Sequence, residues 1–303
     1  MKPHGLPVVL ALCLVPCLVA AQVQPPAPVA ERDDEALVPP ELPEVPAELR
    51  ASVEALRVTV ERTEECYSAE GRMEHTPDPA CPQWYARLAR GGPAAVFAIG
   101  ALFRPGAHGP NDPLMEAMRS SEATEERGPR LVQIMARTGR PEVVPFFVSY
   151  LVRTATVPTA YVSAVDAAML AALRRLTGND PAPTAPWEDD QAHLNAPLAR
   201  RDLVQRWARW YHDHQGMTVA QWRAEGAARA ARDLFSDDLL ERYSAITRLA
   251  GDPTQRVAVR TALQTLLGRE DLPAAARVHL HRLARQRGIV LPPAPALTTA
   301  RRG

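Results

Sequence analysis

Leu173-Arg174-Arg175-Leu176-Thr177-Gly178, Trp207-Ala208-Arg209-Trp210 and Thr218-Val219-Ala220-Gln221-Trp222 lie in one stretch, Pro158 to Gly226, that holds four of the chain's five tryptophans. Val162, Val165, Met169, Leu173 and Leu176 recur at the three- and four-residue spacing of an amphipathic helix, and Gly178 is a standard helix terminator. After a Pro-rich excursion carrying Trp187, a second helix is predicted with Leu203, Trp207, Trp210 and His214 on one face. Tryptophans at helical spacing are more often core anchors joining consecutive helices than platforms for a ligand. The stretch therefore decides for an all-α fold with a packing centre here.

Toward the C-terminus the helix starts become regular. Thr218 with Gln221 resembles a capping box, Ser236 is followed by Asp237 and Asp238 in a first turn, Asp252 precedes Pro253, and Asp271 precedes Pro273. Positions 218 and 252 are 34 apart, and 236 and 271 are 35 apart. A period near 35 built from two helices is the signature of a helical solenoid. The apolar faces agree: Leu239, Tyr243, Ile246 and Ala250, then Val259, Leu263 and Leu266, then Ala276, Leu280 and Leu283. Beyond Gly288 the tail, residues 291–303, reads as flexible.

Toward the N-terminus no strand pattern interrupts the helices. Pro93 to Phe103 reads as a helix buried on most sides, 104–113 as a loop, and Glu122 to Thr138 and Pro141 to Arg153 as a pair across Gly139. Val143, Phe146, Phe147, Tyr150 and Leu151 form one core-facing stripe, with Pro145 in the first turns, where its missing amide is tolerated. Residues 179–198, with Pro181, Pro183, Pro186 and Pro197, read as a long loop, of the kind that is often functional. Its Glu188, Asp189, Asp190 and His193 form the candidate interaction loop; the acidic run lacks the alternating Asp pattern of a calcium site.

The Leu176-Thr177-Gly178 helix end and the following Trp207-x-x-Trp210 helix resemble bacterial HEAT-like repeat proteins, over about residues 123–287. The excursion 179–198 is longer than that pattern expects. The resemblance implies a right-handed solenoid of antiparallel helix pairs over 91–290, acting as a protein-interaction scaffold, and it brings no catalytic residues.

The first 21 residues combine a basic start at Lys2, an apolar run from Leu6 to Val19 and small residues at Val19-Ala20-Ala21, the pattern of a secretory signal peptide cut after Ala21. A retained anchor is the lesser reading, because the run is short and holds Pro7 and Pro16. Lipidation at Cys17 is disfavoured, since Leu14-Val15-Pro16 puts no small residue before it. Residues 22–46 form a Pro-rich acidic linker, read as disordered: either a spacer or docking segment, or an unselected terminus.

Cutting at Ala21 removes Cys13 and Cys17 and leaves Cys66 and Cys81 in an oxidising compartment, so a disulfide pinning a helical hairpin over 47–90 is expected. Leu49, Val53, Leu56 and Val60 mark its first helix, and Trp84, Tyr85 and Leu88 its second. The rival reading, a metal site with His75, lacks a fourth ligand and a tight cysteine pair.

The 35 basic and 35 acidic residues cancel, which argues against a dedicated nucleic-acid binder. Lys2 is the only lysine, an arginine bias that GC-rich bacterial genomes produce. His212-Asp213-His214 and His279-Leu280-His281 cannot chelate as pairs on a helix, because positions two apart point about 200° from each other. Nucleophile-elbow, zinc-protease, phosphate-loop and dinucleotide motifs do not occur. The expectation is a non-catalytic, exported scaffold in the cell envelope that binds a protein, without cofactor or metal. The Cys66–Cys81 bridge and an aromatic seam of Trp187, Trp207, Trp210 and Trp222 serve structure. The alternative is an envelope glycan-binding or glycan-processing protein using those tryptophans and the 179–198 loop.

Overall fold

A computed structural model describes residues 38–66, 80–103, 122–155, 164–183 and 197–291. Among them every regular element is helical and no strand occurs. Eleven α-helices are described: α1 (Arg50–Glu65), α2 (Cys81–Arg90), α3 (Gly92–Gly100), α4 (Glu122–Arg137), α5 (Val143–Ala155), α6 (Ala164–Thr177), α7 (Pro197–His214), α8 (Val219–Asp233), α9 (Leu239–Leu249), α10 (Arg256–Leu267) and α11 (Ala274–Gln286). Short 3₁₀ turns at Ala47–Leu49, Ala101–Phe103 and Pro253–Gln255 adjoin α1, α3 and α10. None of the described helices is long and apolar enough to cross a membrane.

The N-terminal hairpin forms as its apolar spacing demands. Val53, Leu56 and Val60 are buried along α1, and Cys81 and Leu88 along α2. The sulfurs of Cys66 and Cys81 lie at disulfide distance, 2.15 Å, across a separation of 15 residues. Arg127 of α4 ties the end of α1 to the body, donating from Nε to Thr63 Oγ1 and from its terminal nitrogen to Val60 O, both at 3.1 Å. Packing begins before the hairpin: Leu42 and Val45, inside the stretch read as linker, lie against the core.

Helix α3 is buried continuously from Ala94 to Gly100, as a helix apolar on every side must be. Helix α5 departs from the single stripe expected of it. Every residue from Val143 to Val152 is buried, and Thr154 with them. The reason is tertiary: α3, α6 and α7 all pack on α5, and no charge interrupts it before Arg153. Between α6 and α7 a buried ion pair forms, with Arg200 donating to Asp166 Oδ2 at 3.0 Å and to Thr154 Oγ1 of α5 at 2.8 Å. Both groups are buried, so the pair forms away from water.

Helix pairing follows two regimes. Up to α8, alternate helices stack: α1 on α3, α3 on α5 and α5 on α7, and α2 on α4, α4 on α6 and α6 on α8. From α8 onward consecutive helices pack instead, α8 on α9, α9 on α10 and α10 on α11. The apolar interior divides accordingly, one core running from Val53 to Trp222 and a second from Ala230 to Ile289. Helix α8 contributes Trp222 to the first and Ala230 to the second. The border between the two cores therefore runs through α8.

Two of the four C-terminal helix starts fall where expected, two are shifted, and the period is kept. Thr218 forms the full capping box with Gln221, and Asp252 caps the turn that begins at Pro253. Ser236 is not a cap: Asp238 is, its carboxylate accepting from Leu240 N at 2.8 Å and Glu241 N at 2.9 Å, while the Ser236 hydroxyl donates to Glu241. Asp271 is held by Arg269 through two N–H donors, at 2.9 and 2.7 Å, and α11 starts after Pro273. The caps Thr218 and Asp252 are 34 residues apart, and Asp238 and Pro273 are 35 apart.

The bridge at Cys66 and Cys81 gives a direct test. Intact-mass measurement is expected to show thiol alkylation at these positions only after reduction. Replacing both by serine should lower unfolding free energy by about 3 kcal/mol in a urea titration, the chain-entropy value for a loop of this size.

Candidate functional site

The site the sequence singles out, between the end of α6 and α8, proves to be a joint. It begins where Thr177 turns back on its own helix, donating from Oγ1 to Leu173 O at 2.8 Å and accepting from Asn179 N at 3.1 Å. Gly178 follows with φ +67°, the left-handed conformation that ends α6. Its carbonyl then lies against Gly226 in the middle of α8. A Cβ on Gly226 would fall 2.3 Å from that oxygen, so no other residue lets the two backbones approach. Arg248 of α9 bridges them, donating to both Gly178 O and Gly226 O. Burial pulls its pKa below the usual arginine value, against the opposing effect of Asp180.

Asn179 is fully buried. Its amide nitrogen faces three acceptors, Glu225 Oε2 at 2.9 Å, Trp222 O at 3.0 Å and Thr177 O at 3.3 Å, which fixes the orientation of the amide and leaves Oδ1 without a partner among the described residues. Asp180 accepts from Arg174 Nε of α6 and from Ser244 Oγ of α9, each at 3.0 Å. Arg223 completes the lattice by donating to Leu176 O at 3.1 Å. Three helices, α6, α8 and α9, are thus fastened through the turn that ends α6.

The aromatic cluster sits directly behind it. Trp207, Trp210 and Trp222 are 0%, 5% and 2% exposed. Trp210 is the centre, edge-on to Trp207 at 5.5 Å, tilted against Trp222 at 5.8 Å and stacked on His214 at 5.0 Å. Trp222 Nε1 donates to His214 O at 3.0 Å. A carbonyl can only accept, so the 2.6 Å contact between His214 Nδ1 and Trp210 O places the proton on Nδ1. His214 Nε2 lies 3.5 Å from Glu225 Oε2, an ion pair only when the ring carries both protons. Buried in this way, these three indoles present no stacking face to a sugar ring.

Of the other residues marked in the sequence, His212 is exposed. Trp187, Glu188, Asp189, Asp190 and His193 lie outside the described residues, as does His75. The long loop begins after α6 as expected and ends two residues sooner than 198. Its first residues are the joint itself, and Pro197 is the first residue of α7, a position that needs no amide donor. Among the described residues no group of three His, Cys, Asp or Glu side chains is placed to hold a metal ion. No protein-family model, curated protein or solved structure matches the chain.

Sequence reading located the tryptophans but not Asn179, Asp180, Glu225, Gly226, Ser244 or Arg248. One signal was available. Gly226 interrupts an otherwise good helix, a placement that costs helix stability and is explained here by the close approach of another backbone.

Gly226→Ala is expected to cost about 3 kcal/mol through backbone overpacking. Gly268→Ala should stay near the wild-type urea midpoint, because a methyl group there would meet only ordinary van der Waals contacts. Asn179→Ala should cost about 1–3 kcal/mol, the loss expected when buried partners go unsatisfied. Trp210→Ala should unfold or destabilise the chain by about 3–5 kcal/mol, read by loss of the cooperative thermal transition.

Proposed function

We propose that the chain is a non-catalytic, exported scaffold of HEAT-like helix pairs that binds another protein in the bacterial cell envelope. The observation that carries this reading is the recurrence of helix caps at 34 and 35 residues, each period spanning two helices. Stacked pairs expose long ridges and grooves made of side chains from successive units, and such surfaces serve protein recognition rather than bond-making. The alternate-helix stacking of α1 to α8 supports the same arrangement in the first half. The signal-peptide pattern of the first 21 residues and a cysteine pair at disulfide distance, compatible with an oxidising compartment, support export.

The buried network at the joint supports a mechanical role. Its donors and acceptors face one another, so it holds α6, α8 and α9 in fixed relation. A rigid scaffold of this kind binds without first ordering itself, which lowers the entropic cost of association.

In-cell crosslinking of the mature chain followed by mass spectrometry tests the reading. A defined protein partner, reproducibly joined at the same residues of the helical body, together with an N-terminus at Gln22, is the expected result. Recovery of cell-wall glycan with no protein would overturn it.

A further inference from the structure

The last two helices carry a charge imbalance that the rest of the chain does not share. Residues 253–290 hold seven arginines against Glu270 and Asp271, while residues 1–252 hold 26 basic and 33 acidic residues. Arginine-rich coding alone would raise both regions alike. Three of the seven are used structurally: Arg256 donates to Gly288 O, Arg277 to Leu267 O and Arg269 O, and Arg269 holds Asp271. Arg260, Arg282 and Arg285 are exposed and have no carboxylate partner among the described residues.

Two of the structural bonds fix where these charges stand. Arg256 to Gly288 and Arg277 to Leu267 give the same antiparallel register of α10 on α11, which sets position 260 level with position 284. Arg260 is one turn beyond Arg256 on the same flank of α10, and so stands over the seam beside His281 and Arg285 of α11. Val257 lies one turn before Arg260 and is 69% exposed, and Val278 lies one turn before His281 and Arg282 and is 55% exposed. The surface is therefore a lip of exposed guanidinium groups edged on both helices by exposed valines.

We infer that the α10–α11 face binds an acidic protein segment whose carboxylates alternate with apolar side chains. Charge complementarity argues for the carboxylates, since guanidinium groups present forked donors that match them two at a time. The valines select peptide over a phosphate polymer, which has no apolar groups to lay against them. This rests on the scaffold reading and names the chemistry of its partner.

The test uses the full chain, a fluorescein-labelled peptide of repeated Glu-Glu-Val and fluorescence anisotropy. Binding that weakens about tenfold in R260Q/R285Q and falls with added salt is expected. R206Q, at an exposed arginine paired with Asp202 elsewhere on the surface, should bind as wild type does. Equal binding by wild type and R260Q/R285Q overturns the inference. So does displacement of the peptide by polyphosphate or by phosphatidylglycerol vesicles at lower concentration than by unlabelled peptide, which would assign the face to another class of anion. The two readings fail separately: a partner crosslinked in cells equally by wild type and R260Q/R285Q leaves the scaffold standing without this surface, while crosslinking to glycan alone removes the scaffold.

Discussion

The carbonyl of Gly178 resting against Gly226 is the constraint on which the joint depends. It brings the end of one helix into backbone contact with the middle of another, a distance that no side chain permits. Contact this close would leave carbonyl oxygens shut away from water, and buried acceptors without donors are costly. Arg248 supplies the donors, and Asn179 and Arg223 do the same for Trp222 O and Leu176 O. The polar lattice is thus a consequence of the close approach rather than a separate device.

That geometry explains why the two apolar cores meet within one helix. Trp222 faces the tryptophan cluster, Ala230 lies about two turns further on in the second core, and Gly226 falls between them at the polar joint. The alternate stacking of α1 to α8 changes to consecutive packing at this point. A seam made only of apolar side chains would tolerate sliding, because hydrophobic contact has no direction. Hydrogen bonds from three helices to one turn fix a single arrangement.

The conspicuous aromatics and the exposed charges lie in different places. The residues most conspicuous in the sequence, Trp207, Trp210 and Trp222, are interior and hold the halves together. The surface with unsatisfied chemistry is elsewhere, on the terminal pair, where arginines without counter-charges among the described residues flank exposed valines.

The sequence by itself determined the helical class, the stripes of α1, α6 and α9 to α11, the Gly178 terminator and the 34- and 35-residue period. These follow from local rules: side-chain spacing, caps and the backbone freedom of glycine. Two helix starts read from it, Ser236 and Asp271, fall two residues before the observed Asp238 and Pro273; the Ser236 hydroxyl is engaged by Glu241 and the Asp271 carboxylate by Arg269. Tertiary structure alone decided that α5 is buried on all sides, that Asp166 and Arg200 pair in the interior, and that Asn179 meets Trp222 and Glu225, 43 and 46 positions away. Such contacts join residues with no shared period, so no pattern along the chain announces them. Burial strengthens such contacts once their partners are in place, and only the assembled fold sets where burial occurs.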